Sequence, residues 1–396
     1  MNLYLFSMNL KFQTRAFPMI LNDSLYRELQ IHLDKYPIGY PATKSGVEIE
    51  LLRFFFNIEG AKAALCLNLT RSPLWRIRRR YKKKFIEDIS TERLSEILNE
   101  LFMKGSIRRS DDPPYEYANA FLAIGMFEFH VNDLTPELME LLHKYYDEAF
   151  MNEFFHTLLP QLRTSPHLKA IVPEHRIDTY DNMREYISKT DEMIQIANCV
   201  CKQGEALLGH PCKQVGDDIE ICIFFGTGGY IDRNKGRIAT KEECLALLDK
   251  AEDKGLVIQP GNSLQPFCIC LCCGCCCGVL SSARKFEKPA ELFATNYYAQ
   301  IDDEKCNGCG ICIKRCQMVA ITRIDRKRVN LNQYRCIGCG LCVTKCNNSA
   351  VTLQKKDKKI RPPMNTELLY LSILMRKAGK MKMIVNMLRL MFGMQL

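Results

Sequence analysis

The apolar positions change period several times along the chain. Between 47 and 66, Val47, Leu51, Leu52 and Phe55 recur at helical spacing and predict one helix. From about 90 to 104, Leu94, Ile97, Leu98, Leu101 and Phe102 fall at i, i+3, i+4, i+7 and i+8. That stripe predicts a second amphipathic helix, with Gly105 placed as its C-cap. The stretch "SIRR", the turn "SDDPP" and the β-prone run "YEYANAFLAIGMFEF" (115–129) then predict a hairpin. Thr135 and Pro136 supply an N-cap and a proline at the first helical position, and the chain reads as helical to about 197, broken near Pro160–Pro173. Thr240 with Glu243 makes a capping-box pattern for a helix over 241–254, followed by the strand-like "GLVIQP". The last 30 residues are apolar with interspersed arginine and lysine.

Helix, helix, hairpin is an order that resembles a winged helix-turn-helix, with "LSEILNELFMKGSIRRSDDPPYEYA" as its recognition helix and wing. The expected fold class is α+β. It divides into a winged-helix-like domain (15–132), a helical linker (133–197), a cysteine-rich metal region (198–288), a ferredoxin-like dicluster domain (292–356) and a basic amphipathic tail (357–396). The net charge of +10 is concentrated, above all in "TRSPLWRIRRRYKKK" (70–84), which holds no acid. The opening "MNLYLFSMNLKFQTR" lacks a charged n-region and a small-residue cleavage site, so it reads as a disordered or packed terminus rather than a targeting signal. No run approaches ~18 uncharged apolar residues, so no spanning helix is expected.

Cysteine usage changes the picture most. The chain of 396 residues has 21 cysteines; Cys66 stands alone, and the other twenty lie between Cys199 and Cys346. A secreted disulfide protein is usually short and carries a signal peptide, so the expected compartment is the cytoplasm, where clustered thiols serve metal or redox chemistry. Residues 306–316, "CNGCGICIKRC", and 336–346, "CIGCGLCVTKC", repeat with a period of 30 residues. Both read C-x-G-C-G-x-C-x₃-C. This resembles the bacterial dicluster ferredoxin, which binds two [4Fe–4S] clusters and takes the fourth ligand of each from the opposite repeat. The resemblance implies Cys306, Cys309, Cys312 and Cys346 on one cluster and Cys336, Cys339, Cys342 and Cys316 on the other. Gly308, Gly310, Gly338 and Gly340 would let the backbone wrap close to each cube. One departure stands out: the family usually has proline after the fourth cysteine, and this chain has Gln317 and Asn347.

Two further stretches carry thiols. "CVCKQGEALLGHPCKQVGDDIEIC" (199–222) brings Cys199, Cys201, Cys212 and Cys222, a spacing that matches no zinc ribbon. A third iron–sulfur cluster, a tetrahedral Zn²⁺ and plain core packing all remain open for it. The second stretch, Cys268–Cys277, includes Cys270, Cys272, Cys273, Cys275, Cys276 and Cys277 around a Gly274 hinge. Adjacent residues of an extended chain point to opposite faces, so this run presents thiols on both sides. Metal ligation is expected, with sulfurs of the 199–222 stretch converging on one another or on Cys270–Cys277. Cys66 and Cys244 read as core residues. "FFGTGG" has Ile231 where a dinucleotide fingerprint needs its third glycine, so no nucleotide site is expected.

The whole arrangement is similar to multi-cluster iron–sulfur proteins of anaerobes. The resulting expectation is an electron-transfer protein that passes low-potential electrons through two [4Fe–4S] clusters and a further cysteine-ligated cluster to a redox protein or enzyme subunit. Two alternatives follow from other features: an oxidoreductase with its site in the cysteine-rich middle, and a redox-sensing DNA-binding regulator. The tail offers either a docking surface or a peripheral contact with an anionic membrane surface.

Overall fold

The helix expected near 90–104 spans Thr91–Lys104, opened by a Ser90 cap and closed by Gly105 in the left-handed conformation. The computed structural model describes residues 16–171, 178–391 and 394–396, so the opening stretch 1–15 and Pro173 lie outside the described residues. Two units are present: one from residues 1–126 and 385–396, the other from 127–384.

The first unit runs α1 (Ala16–Asp34), α2 (Val47–Phe55), α3 (Ile58–Leu65), β1 (Ser72–Pro73), α4 (Leu74–Phe85), α5 (Thr91–Lys104), β2 (Ile107–Arg109) and β3 (Glu116–Asn119). The three strands pair antiparallel in the order β1-β3-β2. The single helix expected over 47–66 is two. Phe56 is extended, and Asn57 caps α3 by accepting from the Gly60 N–H. The break lets Gly60 approach α5: a Cβ there would stand 3.0 Å from the Leu101 side chain. The β-prone run beyond Asn119 is not strand. Residues 120–123 are buried one after another, and such a run reads like a strand in sequence although no partner strand flanks it. The basic run 70–84 lies mainly on α4, and much of it is paired inside this unit: Arg78 with Asp88 and Lys84 with Glu28.

The second unit continues with α6 (Pro136–Tyr145), α7 (Met151–Phe155), α8 (Met183–Lys189), β4 (Ile194–Asn198), α9 (Val200–Leu207), β5 (Glu220–Phe225), β6 (Gly236–Ile238), α10 (Lys241–Lys254), β7 (Val257–Pro260), β8 (Cys268–Cys272) and α11 (Gly278–Ala283). Thr135 caps α6, and α10 carries the full capping box of Thr240 and Glu243. The five strands form one antiparallel sheet, ordered β6-β4-β5-β8-β7. The helical reading of 133–197 therefore fails at its end: "IQIAN" alternates with period two and is a strand of this sheet. One face of the sheet bears Ile196, Ile221, Ile223, Ile269 and Leu271 and packs on Ile187, Leu248 and Ala251 of α8 and α10. By the pleat, Cys222 of β5 and Cys268, Cys270 and Cys272 of β8 point to the opposite face.

The chain then folds β9 (Tyr297–Ile301), α12 (Ile311–Arg315), β10 (Ile321–Arg323), β11 (Val329–Leu331) and β12 (Val351–Lys355). β9 pairs with β12 and β10 with β11, each antiparallel. Tyr297, Ala299, Ile321, Val329, Val351 and Leu353 make a small core that includes Cys312 and Cys342. Last comes α13 (Thr366–Met391), kinked at Gly379 where φ is 73°. Its first half buries Leu369, Ile373 and Leu374, and Tyr370 donates to the Gln161 side chain at 2.8 Å. That part of the tail docks on its own unit. No helix among the described residues is long and apolar enough to cross a membrane.

Candidate metal centres

The two cysteine repeats meet in crossed fashion. One cavity is lined by Cys306, Cys309, Cys312 and Cys346, backed by Val329 and Val351. A second is lined by Cys316, Cys336, Cys339 and Cys342, backed by Ala299, Ile321 and Leu353. Each draws three thiols from one repeat and one from the other; the walls of the second are apolar, and those of the first add Asn307, Asn347 and Asn348. Four thiols per cavity fit the ligand demand of a [4Fe–4S] cluster. Glycines make the wrap possible. Gly308 and Gly338 have φ of 69° and 65°, and a Cβ would stand 2.4 Å from the Arg326 carbonyl oxygen and 2.2 Å from that of Tyr297. Backbone N–H groups already point at sulfur, with Ala320 donating to Cys316 at 3.1 Å and Ala299 to Cys336 at 3.4 Å.

The second cavity has no exposed thiol. Burial pushes the Cys339 thiol up to about 12 and Cys342 well above the ordinary range. Such thiols are neutral when free of metal, so loading them releases protons. Cys309, by contrast, is exposed. The basic residues flanking the repeats are tied down: Arg315 donates to the Leu341 carbonyl at 2.9 Å, and Lys345 pairs with Asp253 at 2.9 Å.

The cysteine-rich middle divides its thiols between two sets. The first is Cys212, Cys273, Cys275 and Cys276, whose sulfurs all lie within 4.8 Å of one another. Cys273 takes hydrogen bonds from the thiols of Cys212, Cys275 and Cys276 and is held far below the ordinary thiol range. The second set is a string. Cys201 touches Cys199 and Cys277, and Cys277 touches Cys272. Here Cys277 is the thiol held well below the ordinary range, by hydrogen bonds from Cys201 and Cys272. From Cys272 the string runs on to the pair Cys270 and Cys222. They are direct partners across β5 and β8, and the Tyr230 hydroxyl lies 3.2 Å from the Cys222 sulfur.

Cys199, Cys201, Cys212 and Cys222 thus do not converge on one another. Cys212 sits in the core on the Ile221 side of the sheet, and Cys222, one residue from Ile221, faces the other way. The alternative expectation, convergence with the run around Gly274, is what Cys212 does. The run itself presents thiols both ways: Cys273, Cys275 and Cys276 join one set, Cys272 and Cys277 the other. Cys66 and Cys244 are buried core residues.

Two residues escaped the sequence reading. Lys202 is only 1% exposed, and its Nζ donates to the Leu271 carbonyl at 3.1 Å. Burial alone works to discharge it, yet the thiols of Cys199, Cys273, Cys272 and Cys212 around it hold its pKa well above the ordinary value. A buried lysine at this place calls for thiolate charge beside it. The only sequence signal was a lysine directly after C-x-C. The second residue is Gln317, noticed as a departure but given no role. Its side-chain oxygen accepts from the buried Gly274 N–H at 2.8 Å, which ties the cysteine run to the residue following Cys316.

Residues 298–347 match the family model described as the 4Fe-4S dicluster domain. No curated protein and no solved structure matches the chain. The C-terminal side of the chain therefore contains a ferredoxin-type domain of the kind that binds 4Fe-4S clusters, preceded by a cysteine-rich region with a metal-competent thiol group.

Proposed function

We propose that this protein transfers low-potential electrons through two [4Fe–4S] clusters, one on Cys306, Cys309, Cys312 and Cys346 and the other on Cys336, Cys339, Cys342 and Cys316. The observation that carries this reading is the pair of cavities, each lined by four thiols drawn from both repeats. Cubanes held there supply one-electron chemistry. The chain's own residues enclose them, aim N–H groups at sulfur and set their electrostatics. A further iron–sulfur cluster is assigned to Cys199, Cys201, Cys272 and Cys277, where Lys202 balances thiolate charge. Electrons then pass to or from a redox protein or enzyme subunit. The test is anaerobic purification with iron and acid-labile sulfide counted per chain. At least eight of each are expected, with about four lost in Cys309→Ser and in Cys339→Ser. Zinc without sulfide in the wild-type chain would end this reading.

A second reading, redox-sensing DNA binding, draws on one observation. The first unit has the element order of a winged helix, α3-β1-α4-α5-β2-β3. Against it, the exposed side of α5 carries Glu92, Glu96 and Glu100, which repel phosphate. Duplex binding that weakens steeply with salt would support this reading, and no binding at low salt would exclude it.

A further inference from the structure

Among the described residues, the four-thiol group of the middle region is the one set of cysteines whose sulfurs all lie within 4.8 Å of one another. Its sulfurs are separated by 3.7 Å (Cys212–Cys273), 4.0 Å (Cys212–Cys275), 3.3 Å (Cys273–Cys275) and 3.5 Å (Cys275–Cys276). A tetrahedral Zn²⁺ with Zn–S bonds of about 2.3 Å sets its four sulfurs about 3.8 Å apart. In a cubane each thiolate binds a different iron, so the sulfurs stand apart by the additional iron–iron spacing. The chain supplies its own comparison. Among the described residues no other three cysteine, histidine or carboxylate ligand atoms close to within 4.8 Å. The eight thiols of the dicluster domain are spaced too widely to meet that limit, as cluster ligands should be.

We propose that Cys212, Cys273, Cys275 and Cys276 bind a single Zn²⁺ in a closed tetrathiolate site, distinct from the iron–sulfur centres. The local fold explains how neighbours in sequence share one ion. Residues 274–276 form a turn rather than extended chain, so Cys275 and Cys276 converge instead of pointing apart. Gly274 makes the turn possible at close quarters: a Cβ there would stand 2.5 Å from the Gln317 carbonyl oxygen. Cys212, Cys273 and Cys276 are buried, at 4%, 0% and 3% exposure, which suits a structural site with no open coordination position. Four thiolates around Zn²⁺ leave two negative charges, and buried Lys202 lies beside Cys212 and Cys273 to offset them. The ion would join the loop after α9 to the run after β8. It would thereby fix Cys272 and Cys277 on the other side of that run.

The test uses the full chain, purified anaerobically. Zinc, iron and sulfide are counted, and zinc-edge X-ray absorption reads the neighbours of the metal. One zinc per chain is expected, with four sulfur neighbours at about 2.3 Å and no iron neighbour. Cys275→Ser should lower zinc retention against a chelator at least about tenfold while iron and sulfide stay unchanged. Absence of zinc from the wild-type chain overturns the proposal. So does a single iron in its place, or loss of about four iron and four sulfide in Cys275→Ser. If that variant fails to fold, the absorption spectrum of the wild-type chain decides alone. Failure here leaves the dicluster reading standing, because the iron and sulfide counts and the Cys309→Ser and Cys339→Ser variants test that separately.

Discussion

Replacing Gln317 with proline would restore the residue that dicluster ferredoxins usually carry after the fourth cysteine, and it should harm this protein. The residue before it already has a suitable backbone. Cys316 has φ −75° and ψ 102°, the extended conformation favoured before proline. What proline removes is the side-chain acceptor of the Gly274 N–H, a 2.8 Å bond in a buried setting. A lost bond that strands a buried donor costs about 1–3 kcal/mol. The cost falls on the cysteine run around Gly274, not on the dicluster cavities. Roughly 5- to 150-fold faster loss of the run's metal to a chelator is therefore expected, at unchanged dicluster iron and sulfide. Gln317→Ala should behave alike, since it removes the same acceptor. The assay follows metal release from the holoprotein over time, with iron, zinc and sulfide counted at each point. Wild-type release rates in both variants would refute the tethering role. Loss of dicluster iron in Gln317→Pro would show instead that the turn cannot accept proline.

Three further outcomes are expected. Gly338→Ala should remove about one cubane's worth of iron, because a Cβ at φ 65° would stand 2.2 Å from the Tyr297 carbonyl oxygen; full iron content would refute the close-wrap argument. His32 is buried, and burial lowers its pKa from 6.5 to about 4, so the unfolded chain takes up the proton first. The stability of the first unit should be full above about pH 6.5 and fall towards pH 4 by at most roughly 3 kcal/mol, as read by denaturant midpoints. His32→Gln should flatten that slope, and an unchanged slope would rule His32 out as its source. Lys202→Met should move the potential of a centre on Cys199, Cys201, Cys272 and Cys277 negative, because removing the positive charge beside these thiolates disfavours the added electron. A redox titration showing no shift, with metal content intact, would remove Lys202 from the electrostatics of that centre.

The sequence by itself determined whatever is encoded within a few residues. The capping box of Thr240 and Glu243 sets the start of α10, and the apolar stripe from Leu94 to Phe102 with Gly105 sets α5. The C-x-G-C-G-x-C-x₃-C repeat determined the dicluster domain, because three thiols and the glycines of each cavity sit on one short loop. Tertiary structure decided the rest. The split at Asn57 reflects the close packing of Gly60 on α5, and β4 is a strand because β5 and β6 flank it, contacts no local period reports. The sorting of the middle thiols depends on the pairing of β5 with β8 and on the turn at 274–276. Those features carry Cys212 to Cys273 across 61 positions of sequence and turn Cys272 and Cys277 away from it. Ligands on one loop are legible from their spacing. Ligands assembled from distant segments are not, because the register of a sheet, not the distance along the chain, decides which sulfurs meet.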